Sequence, residues 1–347
     1  MMNELYLEDI KNTIKAAKNV DQLKGKTFFI PGANGLIGSF LIDVLMYLNK
    51  DGVSITVVAN SRSEEKLRKR FGAYLENPNF KYYLGDINDD INYTEHVDYI
   101  VNCASNTHPV GYAMDPIGTI MTNIQGTSNL LEFAAKTNAK KTIFTSSVEI
   151  YGENIYGIDK FKENQMGYID CNSLRAGYNE SKRCGEALCQ AYIEAKGVDV
   201  SILRLPRSYG PTIKKDDSKA LSQFINNALA HENIVLKSKG EQYFSYLYVA
   251  DVVSGILRCI LAGKNGEVYN LGNEQSDIKL KDLAKTIADI ANVEVIFDLP
   301  NETEQKGFSK ATVARLDYTK AQNELDWEPQ YSIRHGVERT IKILTSR

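Results

Sequence analysis

TFFIPGANGLIG, at residues 27–38, joins a short apolar run to three glycines and the beginning of a second apolar segment. Gly32, Gly35 and Gly38 have a GxxGxxG spacing, in which the glycines allow a tight turn, close approach of the backbone to a pyrophosphate, and helix–strand contact. The helix that follows would present free N–H groups and partial positive charge to phosphates. The stretch therefore predicts a strand–turn–helix unit that binds a dinucleotide.

Outward from this unit, apolar runs with strand character alternate with helical segments of ten or more residues. This alternation is typical of βαβ units and a parallel sheet. We predict an α/β fold: a Rossmann-type doubly wound parallel sheet with a smaller C-terminal α/β substrate lobe. The predicted organisation is an N-terminal helical extension at residues 1–25, a dinucleotide-binding Rossmann domain at 26–205, and a mainly substrate-binding lobe at 206–347, with some segments returning to the Rossmann domain.

Charge and composition exclude several classes of function. Lys and Arg total 41 against 44 Asp and Glu, so the net charge of −3 gives no electrostatic case for nucleic acid or an anionic membrane as a partner. The five cysteines are scattered without a CxxC pair, and the four histidines are also dispersed, which argues against a metal site or a disulfide framework.

The chain also lacks targeting and membrane signals. Its first residues are acidic and have no apolar core, unlike a signal peptide, and no apolar run reaches the ~18 residues needed to span a bilayer. The apolar segment 253–262 carries Ser254 and Arg258, and it is predicted to be an amphipathic helix. We expect a cytoplasmic protein.

The end of the second predicted strand bears on the choice of cofactor. Enzymes that use NAD usually place an acid there for the ribose hydroxyls. This chain has Asn60, Ser61 and Arg62 instead, and guanidinium is a strong partner for a 2′-phosphate. Arg62 could also be a solvated charge at the start of a helix. NADP(H) is therefore favoured, and NAD(H) is possible.

Tyr178 and Lys182 form a YxxxK pair within a helical stretch, and their i, i+4 spacing places them on one helix face. A tyrosine with the usual pKa of ~10 is a poor acid or base near neutrality, and lowering this pKa by three units takes roughly 4 kcal/mol. A neighbouring ammonium and the charge of a bound nicotinamide both favour the phenolate. Tyr178 would then exchange a proton with a sugar oxygen as hydride moves.

Together these motifs resemble the NAD-dependent epimerase/dehydratase family, the extended short-chain dehydrogenases, from residue 26 to about 345. The resemblance implies redox chemistry on a sugar carried by a nucleotide. Further matching segments are Leu84-Gly-Asp86, Asn102-Cys-Ala-Ser105, Asp115-Pro116, Asn123, Gly126-Thr127, the run from Phe144 to Gly152, and Leu325-Asp-Trp327-Glu-Pro329.

The family's cofactor-binding positions carry over residue by residue, with Asp86 meeting the adenine. The implied cofactor-binding residues are Gly32, Asn34, Gly35, Leu36, Ile37, Gly38, Asn60, Ser61, Arg62, Asp86, Ile87, Ala104, Ser105, Asn123, Tyr178, Lys182 and Leu205.

The resemblance also implies a catalytic set of Tyr178, Lys182, Ser147 and Glu149, in which the Ser147 hydroxyl binds the reacting sugar oxygen. Glu149 could instead be an ion-paired structural carboxylate. The dehydratases have an aspartate directly before this glutamate, and here that residue is Val148, which makes a 4,6-dehydratase improbable. The segment around the Tyr–Lys pair is most similar to the decarboxylase branch.

Two departures from the family pattern concern the substrate. An asparagine that relatives carry after the sixth strand is Arg207 here, and an arginine that they use for the pyrophosphate is Phe244. We infer that the diphosphate is held differently, with Arg207 supplying the cation. The predicted substrate-binding residues are Ser147, Arg207 and Tyr178.

The sequence leaves three functions open. The first is an NADP(H)-dependent reductase of a keto group on a nucleotide-linked sugar or sugar-derived chain, and the second is a nucleotide-sugar epimerase or decarboxylase with tightly bound NAD. A non-catalytic dinucleotide sensor is the third, although such proteins usually lose the Tyr or the Lys. The resemblance further implies a homodimer that pairs through residues 120–137 and 177–196.

Overall fold

The computed structural model describes residues 3–107, 114–299 and 312–346. A seven-stranded sheet forms its centre, in the order β10-β6-β5-β4-β1-β2-β3, and every pairing in it is parallel. Its strands are β1 Thr27–Pro31, β2 Thr56–Ser61, β3 Phe80–Leu84, β4 Tyr99–Asn102, β5 Lys141–Ser147, β6 Val200–Leu205 and β10 Val268–Asn270. The doubly wound sheet predicted from the sequence is confirmed.

Helices cover both faces of this sheet. The first five are α1 Glu4–Ala17, α2 Leu36–Leu48, α3 Glu64–Phe71, α4 Pro116–Thr137 and α5 Ala176–Lys196. The next five are α6 Ala220–Leu229, α7 Val249–Ala262, α8 Leu280–Ala291, α9 Thr319–Leu325 and α10 Ile333–Thr345. The start of α4 shows why these boundaries arise: the Asp115 side chain accepts the Gly118 N–H, and Pro116 fills a position that needs no donor.

Small sheets build the C-terminal lobe. Strand β9 Tyr243–Tyr248 pairs with β7 Arg207–Tyr209, with β11 Asp277–Lys279 and with β13 Val313–Ala314. Strand β8 Ile234–Leu236 pairs with β12 Val295–Phe297. Because β7 follows β6 directly, the C-terminal lobe is joined to the main sheet at the carboxyl ends of its strands.

Helix α7 forms where the sequence predicted an amphipathic helix, and its polar residues do not face solvent. It is buried along nearly its whole length, between the main sheet and α1. Arg258 is buried too, and its Nε donates to the Leu325 carbonyl at 2.6 Å. The polar residues in 253–262 are bound inside the protein, which their position in the sequence could not show.

Helix α1 is bonded to the far end of the chain by a buried polar cluster. The Asp9 carboxylate accepts the Arg339 Nε–H of α10 at 2.6 Å and the Tyr248 hydroxyl of β9 at 2.6 Å. Burial raises the pKa of Asp9, and the bonds from Tyr248 and Arg339 oppose that shift. The cluster therefore holds together α1, β9 and α10, whose packing closes the lobe.

We predict that Arg339→Ala lowers the free energy of unfolding by about 3–5 kcal/mol, because it leaves the buried Asp9 carboxylate without its cation. Urea denaturation followed by circular dichroism measures this loss. Arg334→Ala on the same helix is the matched control: its 3.1 Å pair with Glu338 is largely exposed, so removal should cost less than about 1 kcal/mol. Equal losses in the two variants would contradict the role of the Asp9–Arg339 pair.

Candidate active site

A cavity of about 1050 Å³ opens at the carboxyl ends of the main sheet's strands, between the sheet and the C-terminal lobe. This edge of a doubly wound sheet is where ligands bind. Most of the residues predicted for the site line the cavity: Gly32, Asn34, Gly35, Leu36, Ile37, Asn60, Ser61, Arg62, Asp86, Ile87, Ala104, Ser105, Ser147, Glu149, Tyr178, Lys182, Leu205 and Arg207.

The glycine loop is shaped by close backbone contact. Gly32 has φ +75°, and a Cβ there would lie 2.4 Å from the Cys103 carbonyl oxygen at the end of β4. Gly38 is not among the described residues that line the cavity, because it lies behind the loop, where a Cβ would come within 2.5 Å of the Gly32 oxygen. Gly38 thus supports the loop and does not face a ligand.

The N-terminus of α2 fits a pyrophosphate. The helix begins directly after Gly35, and no side chain in the described ranges caps it. The first-turn residues Leu36 and Ile37 line the cavity, so their N–H groups and the positive end of the helix dipole are available to an anion. The residues present therefore fit a dinucleotide cofactor.

Of the three residues predicted to hold a 2′-phosphate, Asn60 and Ser61 are bonded within the protein, and Arg62 is largely exposed. Asn60 is buried, and its amide donates to the carbonyls of Tyr83 and Gly85 at 3.2 and 3.0 Å. The Ser61 hydroxyl donates to the Ser63 carbonyl, and the Arg62 guanidinium lies 3.4 Å from the Asp86 carboxylate. This arrangement does not support the expected preference for NADP(H).

Asn123 is also placed differently from its prediction as a cofactor-binding residue. Its side chain is buried on α4, where it accepts the Ser105 hydroxyl at 2.8 Å and donates to the Ser181 hydroxyl of α5 at 3.0 Å. It is not among the described residues that line the cavity. Asn123 instead orients Ser105, which does line it, and ties α4 to the helix that carries Tyr178.

Tyr178 and Lys182 enter the cavity from α5, opposite Ser147 at the end of β5. The Lys182 Nζ donates to the Thr145 carbonyl at 2.9 Å, two residues before Ser147. Burial lowers the pKa of Lys182 to about 8, and the acidic side chains Cys103, Cys189 and Glu186 oppose that shift. Lys182 is thus an ammonium at neutral pH in a weakly hydrated site, where a positive charge most strongly favours a neighbouring phenolate.

Glu149, just after β5, and Arg207, in β7, form an ion pair at the wall of the cavity. Arg207 Nη2 donates to Glu149 Oε1 at 3.1 Å, and the guanidinium carbon lies 3.6 Å from the centre of the Phe244 ring. Arg207 Nη1 is buried and has no hydrogen-bond partner among the described residues. The guanidinium is therefore fixed from two sides, by a carboxylate and an aromatic face, and both N–H bonds of Nη1 are without a partner in the described part of the chain.

Several cations that line the cavity were missed in the sequence: Lys66, Arg175, Lys214, Lys219 and Lys237. Arg175 is three residues before Tyr178, a spacing of about one helical turn that could have indicated it. The lysines of the lobe lie in loops and at a strand end, where no periodicity points to them.

Within residues 3–107, 114–299 and 312–346, no group of three or more His, Cys, Asp or Glu side chains could hold a metal ion. Over the same ranges, none of the helices is long and apolar enough to cross a membrane.

Residues 28–272 match the model of the NAD dependent epimerase/dehydratase family. UDP-glucuronic acid decarboxylase 3 of Arabidopsis thaliana is 30% identical over 338 residues, which cover 94% of this chain and 93% of the relative. UDP-glucuronic acid decarboxylase 1 of Xenopus tropicalis is 30% identical over 319 residues, which cover 91% of this chain and 71% of the relative.

Solved structures share the fold. UDP-glucose 4-epimerase of Thermotoga maritima, solved with UDP-glucose, has a TM-score of 0.78 and 25% identity, with 91% of this chain and 98% of that chain covered. UDP-glucuronic acid 4-epimerase of Bacillus cereus, in complex with UDP-glucuronic acid and NAD, has a TM-score of 0.77 with 92% and 99% covered. At 21% identity, the second likeness shows the fold alone.

We predict that Gly32→Ala weakens binding of NAD at least about tenfold, because the new Cβ would push the loop away from Cys103. Isothermal titration calorimetry measures the affinity. Gly52→Ala is the matched control, since Gly52 also has positive φ, at +80°, but a Cβ there meets open space. This control should lose about 1–3 kcal/mol of stability and keep its affinity. Unchanged NAD binding in Gly32→Ala would contradict the role of the glycine loop in holding the cofactor.

Proposed function

The chain belongs to the NAD dependent epimerase/dehydratase family, and we propose that it is an NAD-dependent enzyme that modifies a nucleotide-linked sugar and regains its cofactor within each turnover. The leading reaction is decarboxylation of a nucleotide-linked uronic acid. The observation that carries it is the Glu149–Arg207 pair on Phe244, in the same cavity as Tyr178 and Lys182. The curated decarboxylase relatives, aligned over nearly the whole chain, support the same reaction.

The proton chemistry follows from the residues at the cavity wall. The Ser147 hydroxyl donates a hydrogen bond to the reacting oxygen of the sugar. The Tyr178 phenolate accepts the proton that this sugar hydroxyl loses. Lys182 makes the phenolate accessible near neutral pH by its adjacent positive charge. NAD, when bound, supplies a hydride acceptor that later returns the hydride. On that return Tyr178 gives back its proton, and in a decarboxylation the carbon that loses carbon dioxide takes up one further proton from water, so the protein ends the cycle in its starting state.

Arg207 supports an anionic substrate. Its Nη1–H group has no partner in the described part of the chain, and it lies beside the carboxylate that the same guanidinium already binds. The Arg207 side chain is 21% exposed, so its guanidinium would bind a substrate carboxylate or phosphate, and a charge-assisted bond of this kind contributes about 1.5–3 kcal/mol. The Arg207 guanidinium lies on the ring of Phe244, the residue that stands where relatives carry an arginine. This position supports the inference that Arg207 supplies the missing cation.

A 4-epimerase is the second candidate. It needs the same Tyr178, Lys182 and Ser147, and UDP-glucose 4-epimerase of Thermotoga maritima is a solved structure at 25% identity. The NADP(H)-dependent reductase expected from the sequence has less support, because Asn60 and Ser61 are bonded within the protein and the matching family is NAD dependent.

We predict that the purified protein carries NAD and converts UDP-glucuronic acid to carbon dioxide and a UDP-pentose with no net change in absorbance at 340 nm. Chromatography of the denatured protein identifies the cofactor, and NMR of the reaction mixture identifies the product. A 4-epimerised uronic acid without carbon dioxide would establish the second candidate. Stoichiometric consumption of added NADPH would overturn the proposal in favour of a reductase.

Tyr178→Phe is the control for this assay, because it removes a single hydroxyl and leaves the ring in place. Turnover should fall about 10²- to 10⁴-fold while bound NAD is retained. A variant with more than a tenth of the wild-type rate would exclude Tyr178 as the acid and base.

We further propose a homodimer that pairs through α4 and α5. Large apolar side chains are exposed at the start of both helices: Ile117 (75%) and Met121 (43%) on α4, and Leu174 (71%) just before α5. A twofold pairing of these helices would bury them. We predict a dimer by light scattering at micromolar concentration, and a monomer for Ile117→Glu/Met121→Glu. A monomeric wild-type protein would contradict this interface.

A further inference from the structure

A buried ion pair lies behind the catalytic wall of the cavity. The Glu186 carboxylate on α5 binds the Arg204 guanidinium on β6 through two bonds, Nε to Oε1 at 3.0 Å and Nη2 to Oε2 at 2.7 Å. Arg204 is buried, and Glu186 is nearly so. Neither is among the described residues that line the cavity, so the pair does not contact a ligand there.

The pair connects both walls of the site. Glu186 is one helical turn beyond Lys182 and two turns beyond Tyr178, on the face of α5 that meets β5. Its Oε1 also accepts the Ser146 hydroxyl at 2.6 Å, directly before Ser147. Since Ser146 and Arg204 are register partners in the sheet, one carboxylate joins the helix of the Tyr–Lys pair to the strand of the catalytic serine.

Arg204 is fixed in turn by the loop that follows β5. Its Nη1 donates to the Tyr151 hydroxyl at 2.9 Å and to the Glu163 carbonyl at 2.7 Å. The Tyr151 hydroxyl donates to the Asn270 side chain at 2.7 Å. The guanidinium therefore has little freedom to follow a displaced carboxylate, which makes the position of Glu186 well defined.

The charged and titratable groups packed around Lys182 come from three elements. Helix α5 supplies Tyr178, Glu186 and Cys189, strand β6 supplies Arg204 behind Glu186, and Cys103 lies at the end of β4. Burial raises the pKa of the Cys103 thiol to about 12 and also raises that of Cys189. Both thiols are neutral near pH 8, so the anions near the ammonium are the Glu186 carboxylate and, when it forms, the Tyr178 phenolate.

We propose that Glu186 is a positioning residue for the Tyr178–Lys182 pair. Its bonds to Arg204 and Ser146 fix the position of α5 relative to β5. Its carboxylate also supplies negative charge that favours the ammonium form of Lys182. The inference rests on the proposed function only in that Tyr178 and Lys182 are taken as the catalytic pair.

The test compares Glu186→Gln with the wild type by two measurements. The first is the pKa of Lys182, from ¹³C NMR of protein labelled at lysine Cε, with the resonance assigned by its absence from Lys182→Arg. Burial places this pKa at about 8 in the wild type, and loss of the carboxylate should lower it by about half a unit to one unit. The second is turnover, whose kcat should fall about tenfold to a hundredfold, with KM changed less than about threefold.

The pH profile of kcat gives the sign of the effect. Activity that needs the Lys182 ammonium is lost as pH rises through its pKa, so the alkaline limb should move to lower pH in Glu186→Gln. Glu186→Asp keeps the negative charge but shortens the side chain by one methylene, which moves the carboxylate away from Arg204 and Ser146. This variant should retain the wild-type pKa of Lys182 and still lose kcat, and it tests the proposal if the glutamine variant fails to fold.

Glu194→Gln is the matched control, since it makes the same change on the same helix at an exposed position, and neither measurement should move. A Glu186→Gln protein with the wild-type Lys182 pKa and kcat would overturn the proposal, as would a rise in KM alone. The NMR titration needs no turnover, so it decides the role of Glu186 even if no nucleotide sugar is converted. Full activity in Tyr178→Phe would instead refute the proposed function.

Discussion

The backbone after β1 passes so close to the end of β4 that residue 32 has no room for a side chain. A Cβ at this position would lie 2.4 Å from the Cys103 carbonyl oxygen, far inside contact distance, and φ of +75° excludes most other residues as well. This contact sets where the turn ends and α2 begins, so the uncapped helix end faces the cavity. The other strands of the main sheet, all parallel to β1, bring their carboxyl ends to the same edge of that sheet.

Several buried arginines of the fold are held by networks of hydrogen bonds. Arg204 bonds to a carboxylate, a hydroxyl and a carbonyl, and Arg258 and Arg339 each bind carbonyls or carboxylates inside the lobe. A buried ion pair gives little net stability against an apolar replacement, although breaking one is costly. Such pairs therefore contribute geometry: they fix which helix face meets which strand.

The sequence predicted what depends on local spacing. The glycine turn and the Tyr178–Lys182 pair follow from contacts within a few residues, and the sheet follows from the alternation of elements. Side-chain direction was not predictable in the same way. Asn60 turns its amide into the sheet edge, and Asn123 turns toward α5, although the family pattern places both near the cofactor. The pairing of Arg204 with Glu186 depends on strand register, which no motif encodes.

The bond between Asp9 and Arg339 also has a consequence for synthesis of the chain. The two residues are 330 positions apart. At the ribosome's usual pace of about 5–20 residues per second, roughly 17 to 66 seconds separate their translation. Through that interval the ion pair between Asp9 and Arg339 cannot form, so α1 lacks one of the contacts that fix it. Helix α1 therefore gains its full set of contacts only after α10 has been made.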